Sequence, residues 1–374
     1  MLFRSYKSKE HQGSGYNQMV MDDATGQNRV HLYSSNTNAQ LHLGYLIEQT
    51  GNTRGSYLGS GFDLKSDAYG AVRAGQGLYV TTHPASSQPL DVRQASSQLV
   101  NSESVLESMS DASTTHQAES LKDGHDALKS FTDATQNNVS GSSSGGKTAG
   151  GGTGNANAFK EPVMLFGSPS GIALSTQKSV HIASDAQTNL VSGQSTHIAT
   201  GKSLIASVVE KLSLFVQNAG MKLFAAKGKV EIQAQSDNVE VTAQKSLKLL
   251  SATENIEASA KQEILLTSGG AYIRLKDGNI EIHAPGKVDI KGSQHSFAGP
   301  TSLSRSSPTL PSGGGPYNEQ FKIHDKHTGE PAPYVRYRVE TAEGKVFEGM
   351  TDEHGMTSRV MTSEPNDLKV FLDT

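Results

Sequence analysis

Residues Val230–Ile290 read VEIQAQSDNVEVTAQKSLKLLSATENIEASAKQEILLTSGGAYIRLKDGNIEIHAPGKVDI, and their aliphatic residues fall in pairs separated by one position. The pairs are Val230/Ile232, Val239/Val241, Leu247/Leu249, Ile264/Leu266, Ile273/Leu275, Ile280/Ile282 and Val288/Ile290, with Ile256 alone filling the gap between the third and the fourth. Successive steps are 9, 8, 9, 8, 9, 7 and 8 residues. A spacing of two puts both side chains on one face of a strand. Gln235–Asn238, Asp277–Asn279 and Pro285–Gly286 supply polar turns between pairs. A period near eight is neither a heptad nor an eleven-residue helical repeat. The pattern therefore predicts a file of very short strands, each offering two aliphatic side chains to one axis. A fainter version runs upstream through Val180/Ile182, Leu190, Ile198 and Leu212/Leu214.

Eight residues supply one strand and one turn, and so short a unit cannot enclose its own apolar face. Closing three chains around one axis buries every inward residue and pairs strand edges between chains, which removes aggregation-prone edges. The expected fold is mainly β: a trimeric, intertwined triple-stranded β-helix, a prism-like needle whose core holds the fifteen residues named above. Composition agrees. Hydrophobic residues make up 34% of the 374, aromatics 6%, Gly counts 38 and Trp is absent, which suits an extended shape or a core shared between chains.

Net charge is −4, so nothing electrostatic points to nucleic acid or an anionic membrane. Without cysteine there is no disulfide, thiolate metal site or cysteine nucleophile. The start, MLFRSYKSKEHQGSG, has no apolar stretch after its basic residues and does not read as a secretory signal. No window approaches 18 apolar residues, so no stable membrane insertion is expected.

Composition divides the rest. Residues 1–94 read as short strands and turns, a β-rich segment leading into the needle, with Gln18–Met21 and Arg29–Tyr33 flanking a turn at Asp23–Gln27. Residues 95–136 lack Gly and Pro apart from Gly124 and carry Leu99/Leu106 and Leu121/Leu128 seven apart, which predicts a helical excursion. Residues 137–158 read as a flexible Gly/Ser linker, 159–300 as the octad-repeat β-helix and 301–316 as a Ser/Pro/Gly linker. In 317–374, strands are expected at Phe321–Ile323, Tyr334–Thr341, Val346–Met350 and Leu368–Leu372. Alternation along Tyr334–Val339 puts Val335, Tyr337 and Val339 on one face and Tyr334, Arg336 and Arg338 on the other. An aromatic-plus-arginine face has the composition of an interface anchor.

Several separated motifs resemble one family. Gly13–Gln27, GSGYNQMVMDDATGQ, is similar to the G-x-N-E-I-x-F-D-D stretch of VgrG proteins, the valine-glycine-repeat spikes of type VI secretion systems, with Gln18 at the family's Glu. Gln40–Leu46 and Gly55–Thr82 look like the entry to the domain of unknown function fused behind that spike, Phe159–Lys178 and the octad zone continue the match, and DKHTGEPAPYVRYRV resembles the transthyretin-like β-sandwich appended to some members. The resemblance implies a homotrimeric needle, assembled in the bacterial cytoplasm and propelled into a neighbouring cell. It implies a secreted effector loaded on the C-terminal domain, with Tyr334, Arg336 and Arg338 as candidate contacts. It also implies tube and baseplate partners met through an N-terminal hub missing here, and leaves room for a tip-capping protein. Rival readings are a trimeric attachment fibre and a β-helical carbohydrate-active enzyme, the latter disfavoured by the sparse aromatics.

No catalytic, metal or cofactor-binding residue is expected. Gly141–Thr148, GSSSGGKT, satisfies the phosphate-loop pattern but lacks the strand before and the helix after that the chemistry needs. His324 and His327 flank Asp325 in a polar turn rather than on a helix. G-x-S-x-G occurs only as Gly141–Gly145, GSSSG, within that same low-complexity Gly/Ser stretch, which does not read as a nucleophile elbow.

Overall fold

The computed structural model describes residues 3–51, 53–84, 86–141, 154–305, 310, 317–362 and 367–372. The chain divides into two compact units, Met1–Leu204 and Ile205–Thr374.

The first unit begins with a five-stranded antiparallel sheet in sequence order: β1 (Phe3–Lys9), β2 (Tyr16–Asp22), β3 (Arg29–Ser34), β4 (Ala39–Thr50) and β5 (Thr53–Lys65). The strands are longer than the short ones expected. Period-two alternation sorts their side chains, and the register assembles them into cross-strand rows. Tyr6, Met19, Leu32, Leu41 and Leu64 form one row, and Met21, Val30, Leu43 and Phe62 the next. This apolar face is open, with Phe62 75% exposed.

The opposite face holds fully buried Val20 beside a polar cluster in which Asp22, Arg29 and His42 are buried. Past a register shift at Leu46/Ile47, the far half of the β4–β5 hairpin folds back over it. Asp22 Oδ2 accepts from Arg29 Nε at 3.2 Å and from Arg54 Nη1 at 2.5 Å. Arg29 Nη2 reaches Gln49 Oε1, and Arg54 also donates to Gln27. His31 and His42 stand opposite each other and stack at 4.5 Å between ring centroids. His31 meets Gln40, which donates onward to Asp63.

Next come β6 (Leu78–Thr81), α1 (Arg93–Thr115) and α2 (Lys122–Ala134), then β7 (Asn137–Ser140), β8 (Asn155–Ala158) and β9 (Met164–Gly167). The helical excursion is thus two helices with a break at 116–121. Leu121 lies in the break and is exposed, so the expected Leu121/Leu128 stripe is not formed. Val92, Ala95, Phe159 and Leu165 make the buried core, with Tyr79, Leu99 and Phe131 packed against it. Buried hydroxyls join α1 to the end of α2 through Ser96 Oγ and Thr135 Oγ1, 3.0 Å apart. Two further expectations are corrected. The ends of the 137–158 linker form an antiparallel ribbon, β7 with β8. Met164–Gly167, expected in the repeat needle, instead pairs in parallel with β6. Beyond Gly141, the phosphate-loop-like stretch lies outside the described residues.

From 168 to 262 no strand ladder forms among the described residues of this chain. The backbone bends instead at 169–170, 177–178, 185–186, 193–194, 201–202 and 209–210, then at 217–219, 226–228, 235–237, 244–245, 252–254 and 261–262. The eight-to-nine-residue period of the sequence is thus a period of the backbone. The regular pattern persists upstream of 230, where the sequence signal is faint.

In the second unit, β10 (Glu263–Ser268), β11 (Ala271–Lys276) and β12 (Asn279–His283) form an antiparallel meander. Pairing between chains was expected here; the pairing found is within one chain. The cause is turn chemistry. Gly269 and Gly270 (φ +56° and +84°) and Asp277 and Gly278 (φ +49° and +78°) supply the consecutive positive φ angles of two-residue hairpin turns. The C-terminal module follows, with β13 (Tyr317–Glu319), β14 (Arg336–Glu340), β15 (Val346–Met350), β16 (Val360–Thr362) and β17 (Lys369–Leu372). Most of the linker 301–316 lies outside the described residues.

Two outcomes are expected for the first sheet. Asp22→Ala leaves Arg29 buried without its carboxylate and should cost about 3–5 kcal/mol in a denaturant melt. Burial, the neighbouring His31 and the Arg29 charge lower the His42 pKa from 6.5 to about 4. Above pH 6.5 His42 is neutral folded or unfolded; between 6.5 and 4 only the unfolded chain takes the proton. Stability should therefore fall as pH drops through that window, and His42→Gln should flatten the Tm-against-pH curve.

Candidate functional site

The C-terminal module is two small sheets, β13–β16 and β15–β14–β17, closed over Tyr337, Val339 and Val360, with Phe321, Phe347, Leu368 and Val370 packed around them. Alternation along β14 sends Tyr337 and Val339 inward and leaves Arg336 and Arg338 outside. Tyr337 lies across its cross-strand partner Gly349, where an added Cβ would come within 2.5 Å of the phenol oxygen. That oxygen accepts from Ser358 N–H at 2.8 Å. Buried threonines brace the loops. Thr351 Oγ1 accepts from Val335 N–H and donates to Ala332 O, while Thr357 Oγ1 accepts from Phe321 N–H.

On the outer face, Arg336 stands opposite Met350, and Arg338 lies between Glu348 and Phe371. The Arg338 guanidinium sits 4.9 Å over the Phe371 ring and 3.3 Å from Glu340. Sequence analysis missed Met350, Glu348 and Phe371 as members of this face, because register across strands is not written in any one of them. Tyr334 is a correction. It occupies a turn at φ +58°, ahead of β14, and its N–H donates to Thr351 O. It is 67% exposed but stands outside the strand's alternation. The left-handed turn breaks the extended run from Tyr334 to Thr341 that the sequence suggested.

His327 lies in the expected turn, and His324 ahead of it forms a β-bridge with Pro331. His324 Nδ1 meets Gly329 O at 2.9 Å, and Asp325 accepts from the N–H groups of Thr328 and His327, which hold its carboxyl below the usual carboxylate range. Among the described residues, no group of three His, Asp or Glu could hold a metal ion.

The predicted needle residues fall into two groups. Ile264, Leu266, Ile273, Leu275, Ile280 and Ile282 share one face of the meander, since Ile264 faces Leu275, Leu266 faces Ile273, and Ile282 and Ile280 continue the two rows. Its other face carries Glu263, Arg274, Lys276 and Glu281, joined by ion pairs. Val230, Ile232, Val239, Val241, Leu247, Leu249, Ile256, Val288 and Ile290 are not brought together within one chain. They stand exposed on the segments between bends and after the meander, Ile232 at 76%.

Two family descriptions match the chain along most of this architecture. Residues 9–133 match the "Putative type VI secretion system Rhs element Vgr", and residues 151–301 match an uncharacterised family conserved in bacteria, DUF2345. Along these stretches the chain is similar to the VgrG spikes of type VI secretion systems. Two curated relatives from Pseudomonas aeruginosa are the type VI secretion system spike proteins VgrG2b and VgrG2a, each 30% identical, over 99% and 95% of this chain. The chain spans only 35% and 41% of their lengths. Among solved structures, the Tle1 effector bound to the VgrG spike from the Type 6 secretion system is similar with TM-score 0.64 at 28% identity, covering 99% of both chains. A second VgrG spike structure is similar with TM-score 0.62 at 28% identity, covering 77% of this chain and 99% of that one.

Tyr337→Phe should destabilise the C-terminal module of this chain by about 1–2 kcal/mol, because it withdraws the acceptor from the Ser358 N–H. Chemical denaturation followed by a probe in 317–374 reads the change.

Proposed function

We propose that three copies of this chain form the puncturing spike of a type VI secretion system, a structural and delivery protein that carries a toxic effector on its C-terminal transthyretin-like domain. The observation behind the trimer is the aliphatic stripe. Its side chains recur with the backbone bends, and all fifteen except Ile264 are at least 39% exposed in one chain. At about 25 cal/mol per Å² of apolar surface, so regular a stripe is a strong drive to association. A threefold arrangement gives each short segment neighbours on both edges. The needle is then an intertwined triple-stranded β-helix over the bends, passing into three within-chain meanders at 263–283. The open apolar rows of the first sheet call for cover in the same assembly.

The domain division follows the same logic: 1–94 leading in, 95–136 helical, the needle from 168, after β9, to 300, and 317–374 the cargo module. The solved complex of a VgrG spike with the Tle1 effector supports an effector as partner. Arg336 and Arg338 are its candidate contacts, with Tyr334 alongside from the turn. Assembly in the producing bacterium and delivery into a target cell accompany this role. Among the described residues, no helix is long and apolar enough to cross a membrane. Tube, baseplate and any tip-capping protein are further partners of the full assembly.

Sedimentation tests the reading. The purified chain should run as a trimer, and a well-folded monomer would overturn the proposal. Ile232→Asp or Val241→Asp should abolish assembly, since three unpaired carboxylates would meet near one axis. Deleting 317–374 should leave the trimer intact and abolish co-purification of the effector expressed alongside it.

A further inference from the structure

The three-stranded sheet of the C-terminal module has an edge of a particular kind. Its order is β15–β14–β17, so β15 is bordered on one side only. Pairing parity fixes which backbone groups face outward. Thr341 N–H donates to Lys345 O at one end of the ladder, and Thr351 N–H donates to Val335 O at the other. Counting inward from both ends, Phe347 and Gly349 exchange bonds with β14, while Val346, Glu348 and Met350 direct their N–H and C=O groups away from it. These outward groups have no partner among the described residues.

Natural edges are commonly blunted by Pro, Lys, a bulge or a very short strand. β15 is five residues long, VFEGM, in unbroken register with β14, and contains neither Pro nor Lys. Its outer side chains are also half-finished. Val346 and Met350 are 49% and 51% exposed. Glu348 lies opposite Arg338, but that guanidinium is engaged by Glu340 and the Phe371 ring, which leaves the Glu348 carboxylate without an ion pair.

We propose that β15 is an acceptor edge for strand addition, and that its occupant is an extended segment of a partner protein with a basic residue flanked at alternate positions by apolar ones. Main-chain bonds to Val346, Glu348 and Met350 supply affinity, as in β-augmentation generally. The basic side chain falls beside Glu348 and extends the alternating row that runs through Arg338. The apolar side chains fall beside Val346 and Met350. This deepens the cargo reading by naming the mode of attachment, and it rests on that reading for the partner's identity.

The test uses the full-length chain and the synthetic peptide TITKTVT as probe. Binding is followed by calorimetry and by hydrogen exchange at the Val346, Glu348 and Met350 amides. Wild type should bind the peptide and protect those amides. Glu348→Pro removes an outward N–H without touching the β14 ladder, and should weaken binding at least about tenfold. Glu348→Lys should weaken TITKTVT about two- to fivefold and improve TITETVT by a similar factor, as cross-strand charge pairs do. A folded Glu348→Pro chain that binds with unchanged affinity overturns the proposal, as does absence of binding to wild type. If Glu348→Pro keeps the effector while deletion of 317–374 loses it, the cargo reading stands and the strand-addition mode falls.

Discussion

A backbone that bends every eight or nine residues, with two aliphatic side chains on many of the straight segments, has no way to satisfy itself. Between bends there is room for about one short strand, and its N–H and C=O groups find no ladder within the described part of the chain from 168 to 262. Its side chains find no core either. Both deficits are of the same kind, and the adjacent copies of the same segment proposed above would meet both. In chain order, a sheet and a helical pair precede this stretch, and a self-paired meander and a small two-sheet module follow it.

The ends of the needle segment differ in how they meet this constraint. At 263–283, two-residue turns with positive φ fold the chain back on itself, so the backbone is paired before any partner arrives and only the aliphatic face remains open. The first sheet has the same division carried further. Its buried side holds the Asp22, Arg29 and Arg54 cluster and the His31–His42 stack, while its apolar rows face out. A buried charge cluster costs desolvation and contributes orientation; here it ties the returning hairpin to β2 and β3. An outward apolar face has the opposite consequence, favouring association over solubility.

The C-terminal module is small but finishes its own core around Tyr337, Val339 and Val360. What it leaves unfinished, among the described residues, includes the outer face and the free edge of β15. That distribution differs from the needle segment, where incompleteness repeats along the whole length. It suits a unit that folds on its own chain and meets a partner locally.

The sequence by itself determined the eight-to-nine-residue period, the polar turns and the inward turn of Tyr337 and Val339, because each depends on spacing along the chain. It also carried the family resemblance, in short motifs that keep their order. Only tertiary structure decided which strands pair. The Gly269–Gly270 and Asp277–Gly278 turns were visible in the sequence, but whether they would close hairpins within one chain depended on register across β10, β11 and β12. The left-handed backbone at Tyr334, the ribbon formed by the ends of the Gly/Ser stretch and the folding of the β4–β5 hairpin over Asp22 were likewise undetermined. Each is set by contacts between residues distant in sequence, and such contacts leave no periodicity to read.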